Sequence, residues 1–109
     1  MSEEKTYNKL VRDNIPDVIA KDGFSSEFHI AKSDEEYKNA LRAKIEEELN
    51  ELFDDRNEKE MSDVQEVLLA IAEFFGIDLF VAEELRKKKA KDKGIFSKRI
   101  ILEKTKKED

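Results

Sequence analysis

The most definite chemistry in this chain lies in four carboxylates set at helical spacing, Glu48-x-x-Glu51 and Glu60-x-x-Asp63. Each pair sits in a stretch whose apolar residues recur every three or four positions, as on one face of a helix. With Tyr37 as origin and ~100° per residue, Leu41, Leu52, Ile45, Leu49 and Phe53 fall within about 160° and form a core face. Glu48 falls inside that arc, at about 20°. Glu51 lies about 40° beyond its edge, Glu47 further off and Asp54 further still. In the second stretch, Val64, Val67, Ile71, Phe75 and Leu68 all lie within about 80° of Glu60, and Asp63 lies beside Phe74 and Ala70. Ser62, Glu66 and Glu73 make the ordinary wet face, with Leu69 the one apolar residue among them.

An ionised carboxylate on a core face must be protonated, paired or bound to a metal, because burying it alone costs several kcal/mol. The two pairs share one midpoint, between Asp55 and Arg56. In an antiparallel helical hairpin Glu48 therefore comes level with Asp63, and Glu51 with Glu60. Four acids meeting across one seam repel one another, and a hard divalent cation with a preference for oxygen relieves that repulsion. Mg²⁺ is the first expectation and Mn²⁺ the second. Two plainer readings stand beside it: acid runs such as Glu46-Glu47-Glu48 as solvated helix surface, and an ion-pair network with Arg42, Lys44 or Arg56.

The elements that would position these acids can be read from caps and breakers. Pro16 opens a short helix over 16–21, with Asn14 before it as a candidate cap and Asp22-Gly23 as its end. Residues 24–30 read as an extended or irregular connector. Ser33 with Glu36 is a capping box that starts a helix running to about Asp54. After the Asp54-Asp55-Arg56-Asn57 break, a second long helix spans about 59–75 and stops at Gly76; Asp78 caps a third that reaches about Lys93 before Gly94. Residues 95–102 carry Ile95, Phe96, Ile100, Ile101 and Leu102 in no regular pattern, and a charged tail follows over 103–109. The expectation is one all-α domain over 1–102.

Composition narrows the setting. Charged residues make up 44% of the 109 positions against 3 Gly and 1 Pro, which favours helices over turns and strands. Residues 1–85 hold 23 acidic and 10 basic side chains, while residues 86–107 hold 11 basic and 2 acidic. Such an acidic body repels nucleic-acid polymers, whereas the basic end suits a small anionic ligand. No apolar run approaches a membrane span, the start lacks the features of a signal peptide, and the absence of cysteine suits a reducing compartment. A cytoplasmic protein without membrane contact is expected.

The spacing Glu48-x-x-Glu51 then Glu60-x-x-Asp63 resembles the metal-binding signature of the all-α nucleoside triphosphate pyrophosphohydrolases, the MazG-like superfamily. The stretch Tyr7-Asn8-Lys9-Leu10-Val11-Arg12-Asp13-Asn14-Ile15-Pro16 is similar to the opening of its phosphoribosyl-ATP pyrophosphohydrolase-like subgroup, and Lys89-Ala90-Lys91-Asp92-Lys93-Gly94-Ile95-Phe96 to its ending. Two departures are a short interval between Glu51 and Glu60, and Ile95 where the subgroup often has glycine. The resemblance implies an antiparallel helical bundle completed by oligomerisation as a homodimer or homotetramer. It also implies Mg²⁺-dependent cleavage of a nucleotide α–β phosphoanhydride to a monophosphate and pyrophosphate. On that basis Glu48, Glu51, Glu60 and Asp63 are the metal ligands and Glu47 or Glu51 the base that orients water. Lys9, Arg12, Lys89 and Lys93 are the candidate phosphate contacts, the first two a turn apart if their segment is helical.

Other chemistries find little material. Gly23, Gly76 and Gly94 are too dispersed for a phosphate loop or a dinucleotide fingerprint, and His29 is the one histidine. The alternative from another class is a non-enzymatic helical interaction module in which the acids are structural.

Overall fold

The computed structural model describes residues 3–108. Among these there are four helices and no strand: α1 (Ile15–Lys21), α2 (Asp34–Asp55), α3 (Glu58–Phe75) and α4 (Leu79–Lys93). The chain is all-α. It separates into two compact units, Met1–Phe75 and Gly76–Asp109.

In the first unit, α2 and α3 form a hairpin whose turn is only Arg56 and Asn57. Two features of the turn are local chemistry. Arg56 takes the left-handed conformation at φ 39° and donates its N–H to the Leu52 carbonyl, closing α2. Asn57 then caps α3, its side-chain oxygen accepting the Glu60 N–H at 2.9 Å. So short a link forces the helices antiparallel. The far end of the hairpin confirms the register: Tyr37 and Phe74, which share the midpoint of the acid pairs, meet edge to face at 5.3 Å.

Leu41 of α2 and Val64, Val67 and Ala72 of α3 are buried, together with Glu48 and Glu60. The expected apolar face of α2 is thus covered along one edge only, since Leu49 is 39% and Phe53 75% exposed. On α3, Leu68 and Phe75 are likewise exposed, as is Leu69.

Ser33 caps α2 by accepting the Glu36 N–H. The return bond of the capping box is displaced by one residue, because Glu36 accepts from the Lys32 N–H and not from that of Ser33. That bond and one from His29 hold the Glu36 carboxyl below its usual range. At α1, Asn14 stands at the cap position, but its side chain makes no capping bond. The helix ends in a Schellman turn, with Gly23 at φ 89° and the Phe24 N–H bonded to the Ile19 carbonyl. Residues 3–12 are irregular, so Lys9 and Arg12 are not neighbours on a helix.

In the second unit, Asp78 caps α4 by accepting the Val81 N–H, and Gly94 at φ 88° ends it. No residue of α4 is buried, and the irregular segment after it exposes Phe96, Ile100, Ile101 and Leu102. No helix among the described residues is long and apolar enough to cross a membrane.

Candidate metal centre

Hairpin register and helical phase together bring the acids into two groups that share a member. Glu47, Glu48 and Glu51 of α2 form one, and Glu48 with Glu60 and Asp63 of α3 forms the other. Within each group every residue has a carboxylate oxygen within 4.8 Å of the others. Glu48 is the hinge between them and the most buried acid, at 5% exposure against 7% for Glu60. Glu51 is exposed, while Glu47 and Asp63 are half-buried.

Four cations border the site. Lys44, one turn before Glu48, places its ammonium 3.1 Å from Glu48 Oε1 and 3.3 Å from Glu47 Oε1. The side chain of Lys44 is 16% exposed. Lys59 reaches Glu60 Oε1 at 3.5 Å and Asp63 Oδ2 at 3.6 Å, but it is 77% exposed and therefore strongly screened. The other two come from the irregular N-terminal segment. Lys9 bonds Glu47 Oε1 at 3.2 Å, and Arg12 bonds Asp63 at 3.0 Å and lies 3.7 Å from Glu66. The segment thus fastens to α2 through one cation and to α3 through the other.

These partners divide the acids electrostatically. Partial burial pushes the Glu47 carboxyl up, but hydrogen bonds from Lys9 and Lys44 outweigh it and hold the group below its usual range. Glu51 goes the other way, raised chiefly by the negative charge of Glu48. For Lys44, burial opposes the charge, yet the bonds to Glu48 and Glu47 win and raise its ammonium.

Among the described residues the arrangement leaves two buried carboxylate oxygens unsatisfied. Glu48 Oε2 and Glu60 Oε2 are buried and accept no hydrogen bond. A buried carboxylate oxygen without a donor is costly, and a hard cation is the partner whose chemistry suits an all-oxygen donor set. The residues present therefore fit Mg²⁺ or Mn²⁺.

Lys89 and Lys93 belong to the second unit, where with Leu85, Lys88 and Asp92 they line a hollow along α4. Lys59 and Glu66 entered no sequence-based candidate set, although the i,i+4 spacing of Lys59 and Asp63 was a signal for the first. Arg42 and Arg56 make no ion pair among the described residues; of the three cations considered for a structural network, Lys44 alone joins one.

No family model matches the chain, and no curated protein or solved structure matches it either.

Proposed function

We propose that the protein is a Mg²⁺-dependent nucleotide pyrophosphohydrolase of the MazG-like kind. Its reaction would cleave the α–β phosphoanhydride of a nucleoside triphosphate or related nucleotide to a monophosphate and pyrophosphate. The observation that carries this reading is the pair of buried, unpartnered oxygens on Glu48 and Glu60, on opposite helices of one hairpin, within acid groups of ligand spacing. A solvated acidic face would leave no such oxygens, and a purely structural network would have paired them.

Glu48, Glu60 and Asp63, with Glu51 at the exposed edge, would hold the metal. When bound, the cation supplies positive charge to phosphate oxygens and lowers the pKa of an attacking water. Of the two candidate bases, Glu51 is the better placed to orient that water. Glu47 already accepts from Lys9 and Lys44, whereas Glu51 has no ion pair among the described residues. Lys9 and Arg12 stand at the rim, where they would exchange their carboxylate partners for phosphate oxygens. Lys89 and Lys93 are retained as phosphate contacts on the strength of the resemblance. The exposed Phe53, Leu68 and Leu69 support assembly of the hairpin with a second copy. A cytoplasmic setting remains part of the proposal.

Calorimetric titration with Mg²⁺ and Mn²⁺, followed by assay of pyrophosphate release from a nucleotide panel, tests this directly. Saturable binding with pyrophosphate release is expected; neither effect would leave the interaction-module reading in possession of the hairpin.

A further inference from the structure

The two acid groups are equal in ligand number but unequal in what already occupies them. The α3 side, Glu48–Glu60–Asp63, is bordered by Lys59 and Arg12, whose side chains are 77% and 56% exposed. Both can swing into water, so a divalent ion arriving there displaces partners of little net attraction. The α2 side, Glu47–Glu48–Glu51, has the exposed Lys9 at Glu47 Oε1 and, unlike the α3 side, a further ammonium, that of Lys44, seated between Glu47 Oε1 and Glu48 Oε1. That side chain is mostly buried, and its stem is carried by the same helix one turn before its partners, so it has no comparable escape.

Resting on the metal-centre reading above, we infer that Lys44 takes the place of a second metal ion, so that the chain binds a single divalent cation, on the Glu48–Glu60–Asp63 side. Lys44 engages one oxygen of the shared Glu48 and leaves its other oxygen, Oε2, unpartnered. The same is true of Glu60, whose Oε1 meets Lys59 and whose Oε2 accepts no hydrogen bond. The α3-side group therefore holds two free oxygens, those of Glu48 and Glu60, whereas the α2-side group holds one, that of the shared Glu48. A second divalent ion on the α2 side would have to sit beside an embedded ammonium, and like charges at such range exclude one another. Lys44 is thereby a positioning residue: it orients Glu48 and sets the metal count without itself touching substrate.

The test counts ions without relying on turnover. The full chain is titrated with Mn²⁺, and free Mn²⁺ is measured by electron paramagnetic resonance. Nonspecific background is set by the double variant Glu48→Gln/Glu60→Gln. One ion per chain is expected for the wild type, two for Lys44→Met, and one again for Lys44→Arg, which restores the charge. Two ions in the wild type, one in Lys44→Met, or two in Lys44→Arg would each overturn the role given to Lys44. No ion above background in the wild type would overturn the metal-centre reading itself, a result distinct from the other three. If Lys44→Met does not fold even with Mn²⁺ present, the wild-type and Lys44→Arg counts decide: one in both supports the inference, two in either overturns it.

Discussion

Glu48 and Glu60 are both buried, yet their partners differ, and so do the expected effects of neutralising them. Removing one member of a buried ion pair is usually damaging because the other is left stranded. The partner of Glu60 is Lys59, which is 77% exposed and returns to water at little cost. Glu60→Gln is therefore expected to keep or raise metal-free stability, by up to about 1 kcal/mol, while weakening Mn²⁺ binding at least tenfold and abolishing hydrolysis. A urea midpoint and a Mn²⁺ titration on the same variant check both halves; outright unfolding or unchanged affinity would count against the site. Glu47 and Glu51 provide a second residue-level contrast, with opposite signs in pH. The Glu47 carboxyl is held below its usual 4.5, so its stabilising contribution is present above that value and is lost as pH falls through its lower folded value. The Glu51 carboxyl is held above 4.5, so charging it in the fold is unfavourable; that penalty is absent at or below 4.5 and grows as pH rises through the folded value. Glu51→Gln should accordingly be more stable than the wild type at neutral pH without metal, and the gap should close as pH is lowered to 4.5. Because Glu51 is exposed, high salt should shrink the gap as well. A gap that is constant with pH would mean that repulsion from Glu48 is not its source.

The helical hairpin is what makes two short motifs into one site, and its turn should respond to mutation in a predictable way. Arg56 is a non-glycine residue at φ 39°, a conformation that an L side chain resists by ~1–2 kcal/mol. Arg56 makes no ion pair among the described residues to offset this. Arg56→Gly should therefore raise stability by about 0.5 kcal/mol, the relief being reduced by the greater freedom of glycine in the unfolded chain. Asn57→Ala should do the reverse, costing about 1 kcal/mol by removing the α3 cap. Because that cap bonds the Glu60 N–H, the same variant should also weaken Mn²⁺ binding. Chemical denaturation of the two variants with and without Mn²⁺ would show these opposite signs; matching signs would mean that the turn does not govern the hairpin. Much of this element was legible in the sequence, because caps, breakers and helical phase are local. Ser33, Gly23, Asp78 and Gly94 act as ends for reasons contained within a few residues of each. The shared midpoint of the acid pairs carried the register across the turn. The cations were less legible: Lys9 and Arg12 reach Glu47 and Asp63 from an irregular segment, 38 and 51 residues away, and no periodicity relates such positions. Lys44 was one of three equal candidates until geometry separated it from Arg42 and Arg56.

At the scale of the whole molecule, net charge and uncovered apolar surface set the remaining expectations. Phe53 is 75% exposed and Leu68 and Leu69 about half exposed on a hairpin with a small core, so burial against a second copy would remove apolar surface from water. Sedimentation at micromolar concentration should give a dimer or larger species, and Phe53→Asp should shift it toward the monomer; a wild type that runs as a 12.7 kDa monomer would sink this expectation. Ligand binding is governed by a larger field. The chain carries a net charge of −6, and a triphosphate approaching the hairpin meets Glu47, Glu48, Glu51, Glu60 and Asp63 together. Lys9, Arg12, Lys44 and Lys59 offset part of that charge, but they are already engaged with these same carboxylates, so moving any of them onto phosphate uncovers an acid. An added divalent cation is the one contribution that attracts phosphate without this exchange cost. Affinity for a non-hydrolysable triphosphate analogue should therefore fall by at least tenfold when EDTA replaces Mg²⁺, while affinity for the corresponding nucleoside changes little. Titration of both ligands in both conditions separates the terms. A triphosphate affinity indifferent to EDTA would place its binding on protein cations alone, away from the acid groups, and would remove the metal bridge from the proposed reaction.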